Sequence, residues 1–335
     1  MENINIDILL YISQYLSTID KCKLLYLNKF YNNELAPYLF KNDVVSIKNT
    51  KNTPCASWIY KYKPKLKIFH FNNFNLPNIV EIDFSSCHLT HLSDSIENLT
   101  QLHTLNLRDN QFTQLPDSIG KLTRLKYLNL ELNQLTQLPE SIGNLGQLQY
   151  LIVGFNRLTH LQDSVQHLIQ LHTLNMCSNY LTQLPEFVEN LKLLQYLNLS
   201  YNQLTYLPDF IGNLIELQYL NLSDNKLIQF PESVGNLSRL HVLELYYNRL
   251  TRLPNSIGNL IQLQILNVNS NRLAELPDSI GNLIQLHTLK LADNRLTRLP
   301  ESIGNLTQLQ NLFLGFNSLT QLPEYIEKFK YRTCR

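Results

Sequence analysis

An asparagine recurs every 23 residues from Asn110 to Asn317. Apolar residues keep a constant phase around each of these asparagines. Nine of the 13 prolines and seven of the ten glycines each fall in a single column of the repeat. A period of this length predicts stacked copies of one small unit, each of which buries its apolar side only against its neighbours. The recurring residues are Asn110, Asn133, Asn156, Asn179, Asn202, Asn225, Asn248, Asn271, Asn294 and Asn317.

Each copy begins with a segment that alternates apolar and polar residues. In the first full copy Leu105 and Leu107 flank Asn106, which is the pattern of a strand with one face turned inward. Stacked copies of this strand predict a parallel sheet. The chain then turns away, and the backbone groups of the turn need hydrogen-bond partners inside the stack. Because the side chain of a buried Asn both donates and accepts hydrogen bonds, we expect the recurring Asn to bond these backbone groups. Cys87 lies one period before Asn110, and we expect it to substitute partly for the Asn.

The second half of each copy predicts a short helix, with Pro116 in its first turn and Gly120 at its end. The whole copy resembles the leucine-rich repeat family in its 23-residue form, LxxLxLxxNxLxxLPxxIGxLxxL. The resemblance covers residues 79–323 in eleven copies. It implies an α/β fold, a curved solenoid whose concave parallel β-sheet grips other proteins. The departures are Gln162 in place of the proline and Gln166 and Glu189 in place of the glycine.

The residues ahead of the repeats follow a different pattern. Ile8, Ile12 and Leu16 recur at helical spacing, and Ser17 followed by Asp20 predicts a second helix start. An open stack of repeats also needs a cap at each end. We therefore divide the chain into a helical segment (1–45), a lysine-rich linker with a degenerate N-terminal cap (46–78), the repeats (79–323) and a C-terminal cap (324–335).

The helical segment is similar to an F-box, on the residues Ile4-Asn-Ile-Asp7-Ile8-Leu9, Tyr15-Leu16 and the run that starts at Leu24. Asn5 stands where that family usually has proline. The resemblance implies that residues 4–31 dock the adaptor of a cullin-RING ubiquitin ligase while the repeats hold the substrate. The alternative is a repeat scaffold or effector protein without a ubiquitin role, whose N-terminal helices are only a cap. The residues implied to contact the adaptor are Ile4, Ile8, Leu9, Leu16, Leu24 and Leu27.

Aromatic residues gather at outward positions of the predicted strands, mainly in the middle copies. Tyrosine combines a large ring with a polar tip, and such residues are enriched at protein interfaces. Tyrosine also favours strands and stacks along a sheet for structural reasons alone, and this alternative stays open. The candidate partner-binding residues of the concave face are Tyr127, Tyr150, Ile152, Phe155, Tyr196, Tyr201, Tyr219, Tyr246 and Tyr247.

Charge and hydropathy narrow the choice of partners and compartment. The 28 basic and 27 acidic residues give a net charge of +1, without the basic excess of a nucleic-acid-binding domain. No apolar run approaches the roughly 20 residues that span a bilayer, so we expect no membrane association. The first residues lack the basic start of a secretory signal. We expect a cytoplasmic protein, or one in the host cytoplasm if it comes from a virus or is a secreted effector.

Catalytic and metal-binding patterns are absent from the sequence. It carries no phosphate loop, no zinc-protease motif and no nucleophile elbow, so we expect a protein that is not an enzyme and has no cofactor. Four histidines occupy the same position of the repeat. They lie in copies that are two or three repeats apart, which separates them by on the order of 10 Å or more. Ligands of one zinc ion lie about 2 Å from the metal, so we expect no metal site. These histidines are His103, His172, His241 and His287.

Overall fold

The structure is a computed structural model, and it describes residues 45–47 and 79–320. These residues belong to two compact units. The first unit contains the described residues up to Ile152 together with Gln162–Leu168, and the second contains Val153–Leu161 and the described residues from Ile169 onward. Within these ranges no helix has the length and apolar character needed to cross a bilayer.

Five strands of the first unit pair in parallel and in chain order. The register joins equivalent positions of successive copies, so that Thr104 lies opposite Tyr127 and Tyr127 opposite Tyr150. The strands are β1 (Val45–Ile47), β2 (Ile79–Asp83), β3 (Thr104–Asn106), β4 (Tyr127–Asn129) and β5 (Tyr150–Ile152). The helices are η1 (Asp94–Asn98), η2 (Asp117–Lys121), η3 (Glu140–Asn144) and η4 (Asp163–His167).

The second unit repeats this arrangement with seven strands. Tyr196 lies opposite Tyr219, and Tyr219 opposite Val242. The strands are β6 (Thr173–Asn175), β7 (Tyr196–Asn198), β8 (Tyr219–Asn221), β9 (Val242–Glu244), β10 (Ile265–Asn267), β11 (Thr288–Lys290) and β12 (Asn311–Phe313). The helices are η5 (Glu186–Asn190), η6 (Asp209–Asn213), η7 (Glu232–Asn236), η8 (Asn255–Asn259), η9 (Asp278–Asn282) and η10 (Glu301–Asn305).

The core of each unit is a stack of leucine side chains. Leu105 and Leu107 are fully buried, whereas Asn106 between them is partly exposed, which confirms the predicted alternation. The burial of one such side chain contributes about 1.5–3 kcal/mol. One copy has too few of these side chains to fold alone, so stability comes from the contact between neighbouring copies.

The recurring asparagine links each copy to its neighbour, as the sequence predicts. Asn225 is buried, and its Oδ1 accepts a hydrogen bond from the backbone N–H of Leu204 at 2.9 Å. Its Nδ2 donates to the carbonyl of Leu199 at 3.0 Å and to that of Leu222, also at 3.0 Å. One amide side chain therefore satisfies backbone groups in two successive copies.

The returning part of every described copy is a five-residue 3₁₀ helix, tighter than an α-helix. Pro208 precedes η6 with an extended backbone. A Cβ on Gly212 would lie 2.4 Å from the carbonyl oxygen of Ser233, so the next copy leaves no room for a side chain. Gln162 replaces a proline but keeps the same extended conformation, and its Oε1 accepts from the N–H of Leu138 at 3.2 Å. Helix η4 therefore forms without the proline.

Several predictions fall outside the described residues. These are the F-box-like contacts, most of the linker and the C-terminal cap. Strand β1 lies at the predicted boundary between the helical segment and the linker, and it pairs in parallel with β2. The division of the chain into four segments stays a prediction.

Candidate protein-binding face

The first residue of each strand from β3 to β12 lies on the side of the sheet opposite the core, which we call the strand face. In the second unit Tyr196 and Tyr219 occupy this position on β7 and β8, and their rings stack at a centroid distance of 4.4 Å and an angle of 5°. Both side chains are half-buried. Burial and, to a lesser degree, the neighbouring Tyr219 raise the pKa of Tyr196 to about 12. The phenol of Tyr196 is therefore neutral at physiological pH.

The third residue after each strand from β2 to β12 forms a second row, which we call the turn rim. Every rim residue has a φ between 51° and 58°, a left-handed conformation that L residues rarely adopt. The rim consists of Ser86, Asp109, Leu132, Phe155, Ser178, Tyr201, Asp224, Tyr247, Ser270, Asp293 and Phe316.

Tyr201 and Tyr247 of the rim meet a third tyrosine in the second unit. The rings of Tyr246 and Tyr247 lie 5.8 Å apart at an angle of 51°. The pKa of Tyr246 is raised by burial, and also by the adjacent phenol of Tyr201 and the carboxylate of Asp224. The structure therefore brings Tyr201, Tyr246 and Tyr247 together around one acidic side chain.

Small residues fill the space between the strand face and the rim in the second unit. Cys177, Ser200 and Ser223 occupy the second position after their strands, and all three are buried. The Ser200 hydroxyl donates to Oδ1 of Asn198 at 2.8 Å. Burial raises the pKa of the Cys177 thiol. These residues lie between the two aromatic rows, and the bulkier Tyr246 takes the same position in the next copy.

The first unit carries its own aromatic cluster. The rings of Tyr127 and Tyr150 lie 6.0 Å apart at 43°, and Nδ2 of Asn129 donates to the Tyr127 hydroxyl at 3.3 Å. Ile152 is partly exposed on the same strand as Tyr150. Phe155 belongs to the rim of the second unit and is 47% exposed. The nine candidate residues thus divide between two units. In the second unit they occupy the strand face and the rim, and Tyr246 lies between the two rows.

The sequence predictions missed what the third residue of each strand does. Where this residue is Asn or Asp, its side-chain oxygen accepts from the backbone N–H two residues ahead, as in Asn198 to Ser200 at 3.0 Å and Asn221 to Ser223 at 2.9 Å. This bond begins the turn that leads to the rim, in the way of an Asx turn. The recurrence of Asn or Asp at this position was the available signal.

A family model described as "Leucine-rich repeat region" matches residues 60–163, 207–273 and 255–331. A second model, "Leucine rich repeat", matches residues 169–227. A search of curated proteins finds no match.

Solved structures give clear matches. The leucine-rich repeat protein LIC12759 of Leptospira interrogans is 32% identical with a TM-score of 0.63, and the match covers 76% of this chain and 70% of that one. A plant peptide hormone receptor, RGFR1 in complex with RGF2, is 29% identical with a TM-score of 0.68, over 76% of this chain and 43% of that chain. InlJ of Listeria monocytogenes is 27% identical with a TM-score of 0.62, and the match covers 76% of this chain and 58% of that chain. The chain thus spans about half the length of the latter two proteins.

Proposed function

Because the chain belongs to the leucine-rich repeat family, we propose that it is a non-catalytic binding module that holds a protein partner on its strand face. The stacked pair Tyr196 and Tyr219 is the observation that carries this proposal. Both rings keep part of their area accessible, and rigid aromatic side chains on a sheet provide contact area at a low entropic cost. The likeness to a plant receptor in complex with the peptide RGF2 supports a protein or peptide as the partner.

The test is affinity capture with the full chain and two variants. The first variant carries Tyr196→Ala, Tyr219→Ala and Tyr246→Ala, which removes the stacked pair of the strand face and the tyrosine between the strand face and the rim. The matched control carries Tyr180→Ala and Tyr206→Ala, two exposed tyrosines at other positions of the repeat. We expect the control to retain the partners that the wild type captures and the triple variant to lose them. If the triple variant captures the same partners to the same extent, the strand face is not the binding site.

The finer part of the proposal concerns residues 1–45. We propose that this segment acts as an F-box in the cytoplasm and recruits the adaptor of a cullin-RING ubiquitin ligase to the partner held by the repeats. Its support is the resemblance around Ile8, Leu16 and Leu24, and the segment lies outside the described residues. A repeat scaffold or effector without a ubiquitin role remains the alternative.

Comparison of the full chain with a chain that lacks residues 1–45 separates these two roles. An adaptor-binding segment predicts that the full chain captures a ligase adaptor, that the shortened chain does not, and that both hold the same strand-face partner. A cap predicts instead that the shortened chain loses stability and solubility. Absence of the adaptor from the full-chain capture would contradict the ubiquitin role and leave the strand-face proposal intact.

A further inference from the structure

Exposed aromatic rings occupy every second position of the turn rim from Phe155 to Tyr247 in the second unit. Phe155, Tyr201 and Tyr247 are 47%, 51% and 57% exposed. Ser178 and Asp224 hold the positions between them. Large rings therefore alternate with small side chains along the rim, with a period of two copies.

Backbone hydrogen bonds fix the distance between these positions. The N–H of Phe155 donates to the carbonyl of Cys177 in the next copy at 2.8 Å, and that of Tyr201 donates to the carbonyl of Ser223 at 2.8 Å. The intervening copies make the same bond. The rim thus continues the parallel ladder, in which neighbouring strands lie about 4.8 Å apart, so the aromatic residues recur about every 9.6 Å.

The backbone conformation of the rim does not favour these rings. Phe155, Tyr201 and Tyr247 have φ values of 53°, 55° and 58°. A bulky residue in the left-handed region is an outlier, whereas Asn or Asp is accepted there more readily. All eleven rim residues share this conformation, so the turn and its backbone bonds to the next copy impose it. Backbone preference therefore does not explain why three of these positions carry large rings.

The spacing of the rings matches one peptide conformation. A polyproline II helix has three residues per turn and rises about 3.1 Å per residue, so it presents the same face about every 9.3 Å. A β-strand presents one face about every 6.7 Å and does not fit the period of the rim. We infer that the rim from Phe155 to Tyr247 binds a proline-rich segment of a partner in the polyproline II conformation, an inference that rests on the proposed function and specifies its ligand.

The chemistry of the rim suits such a segment. Aromatic-lined grooves recognise polyproline II peptides through the faces of the proline rings. The backbone of this helix makes no internal hydrogen bonds, so its carbonyls need donors from the binding protein. The exposed tyrosines Tyr201 and Tyr247 bring hydroxyl donors to the rim. From Phe155 to Tyr247 the rim spans four copies, about 19 Å, which is the length of about six residues of the peptide.

The test titrates a fluorescein-labelled decaproline peptide with the full chain and follows fluorescence polarisation. We expect saturable binding that Tyr201→Ala and Tyr247→Ala each weaken at least tenfold. Tyr206→Ala is the matched control, since this tyrosine is 46% exposed but lies off the rim, and we expect it to change the affinity less than twofold. A flexible Gly-Ser peptide of equal length should not bind. Circular dichroism checks that each variant is folded.

A double variant tests the spacing itself. Ser178→Tyr together with Tyr201→Ser moves one ring by a single copy and keeps the number of rings constant. We expect the same loss of decaproline affinity as in Tyr201→Ala. The inference is overturned if this variant binds decaproline as tightly as the wild type. It is also overturned if Tyr206→Ala weakens binding as much as the rim substitutions do, or if decaproline shows no saturable binding. If decaproline does not bind while the strand-face triple variant still loses its partner, only the ligand class is wrong. If the triple variant keeps its partner, the proposed function fails.

Discussion

Replacement of Asn225 by leucine removes one step of the asparagine ladder without a change of shape. Asn225 accepts from the N–H of Leu204 and donates to the carbonyls of Leu199 and Leu222. The Asn225→Leu variant retains a buried side chain of similar size but has no polar atom at this site. We expect a large loss of stability, and the hydrogen bonds of the neighbouring copies set its magnitude.

The two carbonyls do not lose all their partners in this variant. Nδ2 of Asn202 also donates to Leu199 at 3.0 Å, and Nδ2 of Asn248 also donates to Leu222 at 2.9 Å. The orphaned group is the N–H of Leu204, and a buried unsatisfied donor costs about 1–3 kcal/mol. Each of the two lost second bonds adds about 0.5–1 kcal/mol. The free energy of unfolding should therefore fall by about 2–5 kcal/mol.

Urea unfolding followed by far-UV circular dichroism measures this loss, and hydrogen exchange at the Leu204 amide locates it. Stacked repeats can unfold in parts, so the exchange measurement matters as much as the midpoint. The control is Asn213→Leu, because Asn213 is exposed and its Nδ2 donates to the carboxylate of Glu189 at the surface. We expect the free energy of unfolding of this control to change by no more than about 0.5 kcal/mol. If Asn225→Leu costs no more than this control, the ladder does not hold the copies together.

Four further substitutions test close contacts, an unpaired hydroxyl and ionisation. Gly212→Ala should cost about 1–3 kcal/mol, because its Cβ would meet the carbonyl oxygen of Ser233 at 2.4 Å. Gly146→Ala should cost at most about 0.5 kcal/mol in the same urea assay, because nothing lies within 4 Å of its added Cβ. Ser279→Ala should leave stability unchanged or raise it by up to about 1 kcal/mol, since its buried hydroxyl has no hydrogen-bond partner among the described residues. Tyr196→Phe should reduce the loss of stability between pH 10 and 12. The pKa of Tyr196 is about 12 in the folded state, against 10 for an unperturbed tyrosine, so the neutral phenol stabilises the fold below pH 10. This contribution is lost as the pH rises from 10 to 12, and the variant does not have it to lose.

The 23-residue period predicts the fold because each position of the repeat has one main structural role. Alternation around Leu105 gives the strand, and the recurring Asn gives the turn. The exceptional copy supports this reading: Cys87 takes the Asn position, is buried, and donates through Sγ to the carbonyl of Ser85 at 3.4 Å. A thiol is a weak donor, which fits a partial substitute.

The candidate site follows less directly from the sequence. Phe155, Tyr201 and Tyr247 read as outward residues of a strand, but the chain has left the strand two residues earlier and turns through a left-handed conformation at each of them. A sequence signal for such a turn is usually Gly or Asn, and neither occupies the rim. At Tyr201 the conformation follows from the Asx bond of Asn198 and from the backbone bond to Ser223 of the next copy. The strands before Phe155 and Tyr247 end in Ile152 and Glu244, so the backbone bond to the next copy is the contact that all three positions share.

This distinction separates two kinds of tyrosine that the sequence presents as one set. Tyr196 and Tyr219 stack on a strand, where an aromatic residue is favoured by the conformation and by its neighbour, so their presence is compatible with a purely structural role. Tyr201 and Tyr247 occupy positions that their own backbone disfavours, and they remain half exposed. Stability accounts for the first pair and works against the second. The exposed rim tyrosines are therefore a separate argument, beside the stacked pair, that the second unit binds a partner.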